Sequence, residues 1–142
     1  HFQYHEMPSA GPHVANFFLE CTFQCGTTAQ LTFLPLSGLV IERAEVHAAG
    51  TSFFLKTPIW NGYDYPGSLI QIQHGQVIEE ISGIEAAGGS EEFILNGFYQ
   101  EDAAFFDDIR AGRKPAGDIR SGRQAVLIAQ AIRERREFIE FV

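Results

Sequence analysis

Residues 16–34 read NFFLECTFQCGTTAQLTFL, and their alternation decides the fold class. From Asn16 to Gln24, Phe17, Leu19, Cys21 and Phe23 take one side, while Phe18, Glu20, Thr22 and Gln24 take the other. From Thr27 to Leu34, Ala29, Leu31 and Phe33 alternate with Thr28, Gln30 and Thr32. Side chains of an extended strand point to opposite faces in turn, so this period of two marks half-buried antiparallel strands. Cys25-Gly26 between them suits a hairpin turn, with the glycine supplying a positive φ.

The pattern spreads outward from that hairpin. Leu39–Ala48 and Thr51–Thr57 form a second expected pair, turning at Ala49-Gly50. Leu69–Gln73 and Gln76–Ile81 form a third, turning at His74-Gly75. Phe2–Glu6 is a candidate leading strand and Phe138–Val142 a candidate closing one. Trp60–Gly67, WNGYDYPG, is a turn-rich aromatic loop, and Ala86–Ser90 reads as a flexible connection.

The last third changes to a helical period. A helix is expected from about Glu91 or Asn96 to Ala111, with Phe98, Phe105, Phe106 and Ile109 on one face. Gly112 ends it and Pro115 prevents its continuation. Ser121-Gly-Arg-Gln124 has the S-x-x-Q form of a capping box, opening a helix whose apolar face is Ala125, Ile128, Ala129 and Ile132. Strands first and helices last, without βαβ alternation, predict an α+β fold: an open, mainly antiparallel sheet with helices packed on one face. The other face carries Thr, Gln and Phe18, and is either solvated or a partner surface.

Bulk properties bound the function. A chain of 142 residues fits one domain, 1–142, with a real core. The net charge of -8 disfavours nucleic acid and anionic membrane as partners. Arg110, Arg113, Lys114, Arg120, Arg123, Arg133, Arg135 and Arg136 are interleaved with acids, as on solvated helix faces. Cys21 and Cys25 on one strand would stand about 13 Å apart, too far for a disulfide. Two buried, reduced thiols in a cytoplasmic protein are the expectation. No apolar run approaches the ~20 residues of a membrane span. The chain opens on His1 and has its only Met at position 7, which suggests a fragment of a longer protein.

No motif carries chemistry by itself: G-x-G-x-x-G after a strand, a Walker loop, H-E-x-x-H and G-x-S-x-G are all missing from the sequence. His1 and His5 could share a metal on a helix, but their segment alternates as a strand. His13, in the loop PSAGPH, presents an imidazole that could reach a ligand or simply lie in solvent. Asp102 falls among Phe98, Phe105 and Ile109, and is read as a carboxylate at the helix's amino-terminal edge. Trp60, Asn61, Tyr63, Asp64 and Tyr65 are the densest set of ligand-capable groups. Aromatic faces beside amide, carboxylate and hydroxyl suit a polyhydroxylated substrate, although such loops also pack onto domain edges.

The helical third resembles a known family. Phe98–Arg135 reads FYQEDAAFFDDIRAGRKPAGDIRSGRQAVLIAQAIRER. It is similar to the end of the Gfo/Idh/MocA oxidoreductases, with Glu101, Phe105, Ile109, Gly112, Pro115, Asp118 and Ala125 through Ala131 at the matching positions. Phe17–Ala29 looks like that family's hairpin, and Glu42–Leu55 like its strand–Gly–strand element. The resemblance covers most of the chain and rests on packing motifs. It implies the carboxy-terminal substrate and oligomerisation domain of an enzyme whose preceding Rossmann domain binds NAD or NADP. The family's catalytic lysine and its Asp/His helix match nothing here, so no catalytic residue is carried over. The implied activity is hydride transfer on a sugar, polyol or related hydroxy compound, with a homo-oligomer, dimer or tetramer, formed through the open sheet face. The chain by itself is expected to hold no cofactor and to be inactive. Two alternatives stand beside it: a non-catalytic self-associating α+β module, and a fragment of an NAD-dependent glycosidase.

Overall fold

A computed structural model describes residues 1–60 and 62–141, which form two compact units. One is built from His1–Ser37 and the segment that begins at Ala116; the other is Gly38–Pro115. Both are α+β with antiparallel strands, as the alternation predicts. The strands form two ladders, of three and four strands, where a single open sheet was expected. The link after the first ladder, LPLSGLVI at 34–41, contains Pro35 and Gly38, residues that do not sustain a strand.

The first unit orders its strands β1 (Phe2–Glu6), β2 (Ala15–Thr22) and β3 (Thr28–Phe33). The register sets Phe2 against Leu19 and Tyr4 against Phe17, then Phe17 against Phe33 and Leu19 against Leu31. Phe17, Leu19, Cys21, Ala29, Leu31 and Phe33 of the opening pattern thus share one face. Helix α4 (Arg123–Arg133) covers that face: Ala131, 1% exposed, joins Phe2 and Leu19 in the core, flanked by Tyr4, Phe17, Cys21, Ile128, Ile132 and Ile139. Leu31 and Phe33, on the same face of β3, stay partly exposed.

The second unit carries β4 (Glu42–Ala48), β5 (Thr51–Thr57), β6 (Ser68–Gln73) and β7 (Gln76–Ser82) in sequential order. Its turns fall where expected, with Gly50 at φ 76 and the pair His74 and Gly75 both at positive φ, as a type I′ hairpin requires. Three helices follow: α1 (Gly83–Ala87), α2 (Glu92–Leu95) and α3 (Phe98–Arg110). Leu95 is buried, while Phe98, Phe105, Phe106 and Ile109 of the predicted apolar face are exposed.

Several local expectations are corrected. Ala86–Ser90 is no flexible connection: Ala86 and Ala87 complete α1, which Ser82 caps by accepting from the Glu85 amide and Gly88 closes at φ 73. Of the two expected starts for the helix that ends near Ala111, the one at Asn96 matches α3; from Glu91 the run is broken at Gly97, at φ 81, into α2 and α3. Asp102 is exposed, one turn inside α3. The capping box does not form, because the Ser121 hydroxyl donates to the Asp118 carbonyl (2.6 Å) and α4 starts after Gly122. Asp118 takes over that end, its Oδ1 accepting from the Arg120 and Ser121 amides. Residues 138–141 are not a strand, and Val142 lies outside the described residues. Cys21 and Cys25 are both free thiols, but Cys21 is half-buried and Cys25 exposed, since Cys25 falls in the turn and not on the core face. No helix among the described residues is long and apolar enough to cross a membrane.

Candidate functional site

The loop from Trp60 to Gly67 is pinned at several points within the second unit. Arg43, on β4, donates from Nε to Asp64 Oδ2 (2.7 Å) and from Nη2 to Oδ1 (2.8 Å). The Asp64 side chain is only 4% exposed, and both its oxygens are engaged by the fork. That fork holds the carboxyl below its ordinary pKa, against a smaller opposing push from burial. The Tyr65 hydroxyl donates to the Ser90 carbonyl (3.3 Å), and the Trp60 amide donates to Asn96 Oδ1 (3.4 Å).

Two glycines seal the base of this loop. Gly67, at φ 86, packs so closely that a β-carbon there would stand 2.7 Å from the Lys56 carbonyl oxygen. At Gly83 a β-carbon would collide with the Pro66 carbonyl, while the Gly83 amide donates to the Gly67 carbonyl (2.9 Å). The loop is therefore anchored at Trp60, Asp64, Tyr65 and Gly67, yet Trp60 and Tyr63 are 64% and 77% exposed. Trp60 also has φ 44, a left-handed conformation that a bulky residue keeps only when its surroundings impose it.

Of the residues singled out in the sequence, Trp60, Tyr63, Asp64 and Tyr65 are thus gathered on one anchored loop. Asn61 lies outside the described residues. His13 is in the first unit, between β1 and β2, at φ 66. Its carbonyl accepts from Arg135 Nη2 (2.9 Å). Sequence reasoning missed both arginines. Arg43 is 21 residues from Asp64 and Arg135 is 129 residues from Glu6, so no local pattern joins them.

The first unit also has a shallow hollow of about 230 Å³ on the face away from α4, bordered by Gln3, Phe18, Glu20, Gln30 and Thr32. That is below the usual span of small-molecule clefts, roughly 300–1,000 Å³. β7 runs directly into α1, and the Pro66 carbonyl lies against Gly83 at that junction. No protein-family model, no curated protein and no solved structure matches this chain.

Proposed function

We propose that this chain is the substrate-side and oligomerisation part of an NAD(P)-dependent oxidoreductase acting on a sugar, polyol or related hydroxy compound. The observation that carries the reading is the anchored loop. Trp60 and Tyr63 are exposed on a backbone fixed by the Arg43–Asp64 fork, so little side-chain and loop ordering remains to oppose binding. Aromatic faces on such a platform suit the C–H faces of a polyol. The resemblance at Phe98–Arg135 supports the same reading. Its matching positions have physical roles here: Gly112 closes α3 at φ 68, and Asp118 organises the turn before α4. The finer assignment, to the carboxy-terminal-domain fold of the Gfo/Idh/MocA oxidoreductases, belongs to this proposal. So do the dimer or tetramer through the sheet face and the cytoplasmic location. Hydride transfer would belong to a separate cofactor-holding half.

Trp60 is the only tryptophan, so its fluorescence reports the loop alone. Titration of the chain with a panel of sugars and polyols should give a saturable change that Tyr63→Ala removes. NAD(H) should give none, and micromolar NAD(H) affinity would reject the assignment. In a protein carrying the cofactor half, Tyr63→Ala should raise KM with little change in kcat. An unchanged KM would discard the loop as a substrate contact.

A second reading, a self-associating module without chemistry, is favoured by the exposed apolar face Phe98, Phe105, Phe106 and Ile109. It predicts association in solution together with silence in every sugar titration.

A further inference from the structure

We infer that β3 is a pairing edge for a second copy of this chain, a contact separate from any association through the sheet face. The four outer strands of the two ladders are β1, β3, β4 and β7. Three of them are blunted in ways that proteins use against edge pairing. The segment after α4 lies along β1, where the Phe2 amide donates to the Glu137 carbonyl (2.9 Å) and the Tyr4 hydroxyl to the Arg136 carbonyl (2.8 Å). β4 carries Glu42, Arg43 and Glu45, and β7 carries Glu79 and Glu80 beside a register shift. β3, TAQLTF, has no charge, no proline and no register shift.

The ladder fixes which groups β3 turns outward. The Phe23 amide donates to the Thr27 carbonyl (2.9 Å), making residues 23 and 27 a hydrogen-bonded pair. Alternation along an antiparallel ladder then bonds Cys21 with Ala29, Leu19 with Leu31 and Phe17 with Phe33. The N–H and C=O groups of Thr28, Gln30 and Thr32 are left pointing away from β2. In agreement, the Glu20 amide, opposite Gln30, is used toward the β1 side, donating to the His1 carbonyl (2.9 Å).

A two-fold axis perpendicular to the sheet through Gln30 satisfies these groups with their own copies. Gln30 then faces Gln30 of the second copy and Thr28 faces Thr32, each pair exchanging both backbone bonds. Ala29 and Leu31 meet on the apolar face, extending cover toward Leu31 and Phe33, which α4 leaves partly exposed. Charge permits this approach at β3, although each chain carries -8. The nearest carboxylates on the axis, Glu20 and its copy, would stand about 14 Å apart, three strand spacings. That exceeds the ~8 Å screening length at physiological salt.

Sedimentation equilibrium of the 142-residue chain should reveal a monomer–dimer equilibrium. Hydrogen exchange at Thr28, Gln30 and Thr32 should slow as concentration rises. Gln30→Pro removes an outward N–H and no ladder bond, so it should weaken the dimer at least tenfold. Where circular dichroism shows that this variant does not fold, the double variant Thr28→Lys with Thr32→Lys, which opposes like charges across the axis, should do the same. Phe18→Glu, on the sheet face, should leave dimerisation intact. Four results would each overturn the inference: a monomer at every concentration, a dimer that survives the edge variants, a dimer lost with Phe18→Glu, or protection of these amides that does not depend on concentration. The last would mean the edge is covered from within the chain.

Discussion

Arg135 closes on Glu6 with a forked contact, Nε to Oε1 at 2.6 Å and Nη2 to Oε2 at 3.3 Å, across 129 residues of chain. Its guanidinium carbon sits 5.0 Å from the centre of the Tyr4 ring, and Nη1 donates to the Ile132 carbonyl (3.1 Å). The same residue terminates α4 at φ 54, with its own amide bonded to Ile132 and the Arg136 amide to Ala131. That is a Schellman closure, and α3 makes the same closure with Gly112, the residue expected there. Arginine keeps the strained position because its side chain ties α4, β1 and the His13 loop together. Arg135→Gly should lose the clamp but relieve the backbone, whereas Arg135→Ala should lose both. The alanine variant should therefore be the less stable of the two by ~1 kcal/mol in urea denaturation. The reverse order would show that the left-handed backbone is not strained.

Acid should loosen both units through the same kind of pair. Glu6 titrates below an ordinary carboxylate because Arg135 donates to it, and Asp64 does so because Arg43 donates to it. A depressed folded-state pKa contributes stability that is complete above the unfolded value, near 4, and is lost as pH falls through the folded one. Glu6→Gln and Asp64→Asn should each flatten the fall of Tm as the pH drops below about 4, while lowering Tm at pH 7. Both partner guanidiniums are partly exposed, so 1 M salt should shrink the pH 7 effect. A Tm profile unchanged by either substitution would remove these pairs from the account of acid stability.

The hairpins were legible because their signal is local: alternation at 16–34, and glycine at 26, 50 and 75 where φ is positive. The breaks were less legible. Gly97 splits a helix that its neighbours favour, and Ala86-Ala87-Gly88 reads as loop composition although Ser82 caps a helix through it. Ser121 is instead tied back to Asp118, three residues earlier, by its hydroxyl and its amide. The candidate site was half legible. Its aromatic residues stand together in the sequence, but what fixes them, Arg43, Ser90 and Asn96, is distant and supplied by the fold.

The fixed loop makes Gly83 a sensitive position. A β-carbon there meets the Pro66 carbonyl, which is backbone and cannot swing aside as a side chain would. Gly83→Ala should cost roughly 1–3 kcal/mol, at the upper end for a backbone clash. It should also raise acrylamide quenching of Trp60 by loosening the loop. Gly88→Ala is the comparison: its β-carbon meets nothing, so only the positive φ of 73 counts against it. Equal quenching in the two variants would mean that the Gly83 contact does not hold the loop.

The two faces of β2 should respond very differently to truncation. Leu19 faces the core beside Phe2 and Ala131, while Phe18 points to the opposite, partly exposed face. Leu19→Ala should cost about 2–5 kcal/mol, because the cavity lies between a sheet and a helix that cannot both close on it. Phe18→Ala should change stability by less than about 1 kcal/mol in the same urea titration. A larger loss at Phe18 than at Leu19 would reverse the assigned faces of the first sheet.

Cys25 and Cys21 form an internal test of thiol environment. Cys25 is exposed at the hairpin turn, and its Sγ is hydrogen-bonded to Thr27 Oγ1 at 3.3 Å. The Thr27 hydroxyl stabilises the thiolate and lowers the Cys25 pKa, with a smaller contribution from the Thr27 backbone. Cys21, half-buried against the core, gives a reagent less access. Iodoacetamide at pH 7.5 should therefore modify Cys25 well before Cys21, read by peptide mass. Thr27→Val removes the hydroxyl but keeps a residue suited to the strand end, so it should slow alkylation at Cys25 severalfold, because less thiolate is present. An unaltered rate would assign the difference between the two thiols to exposure alone.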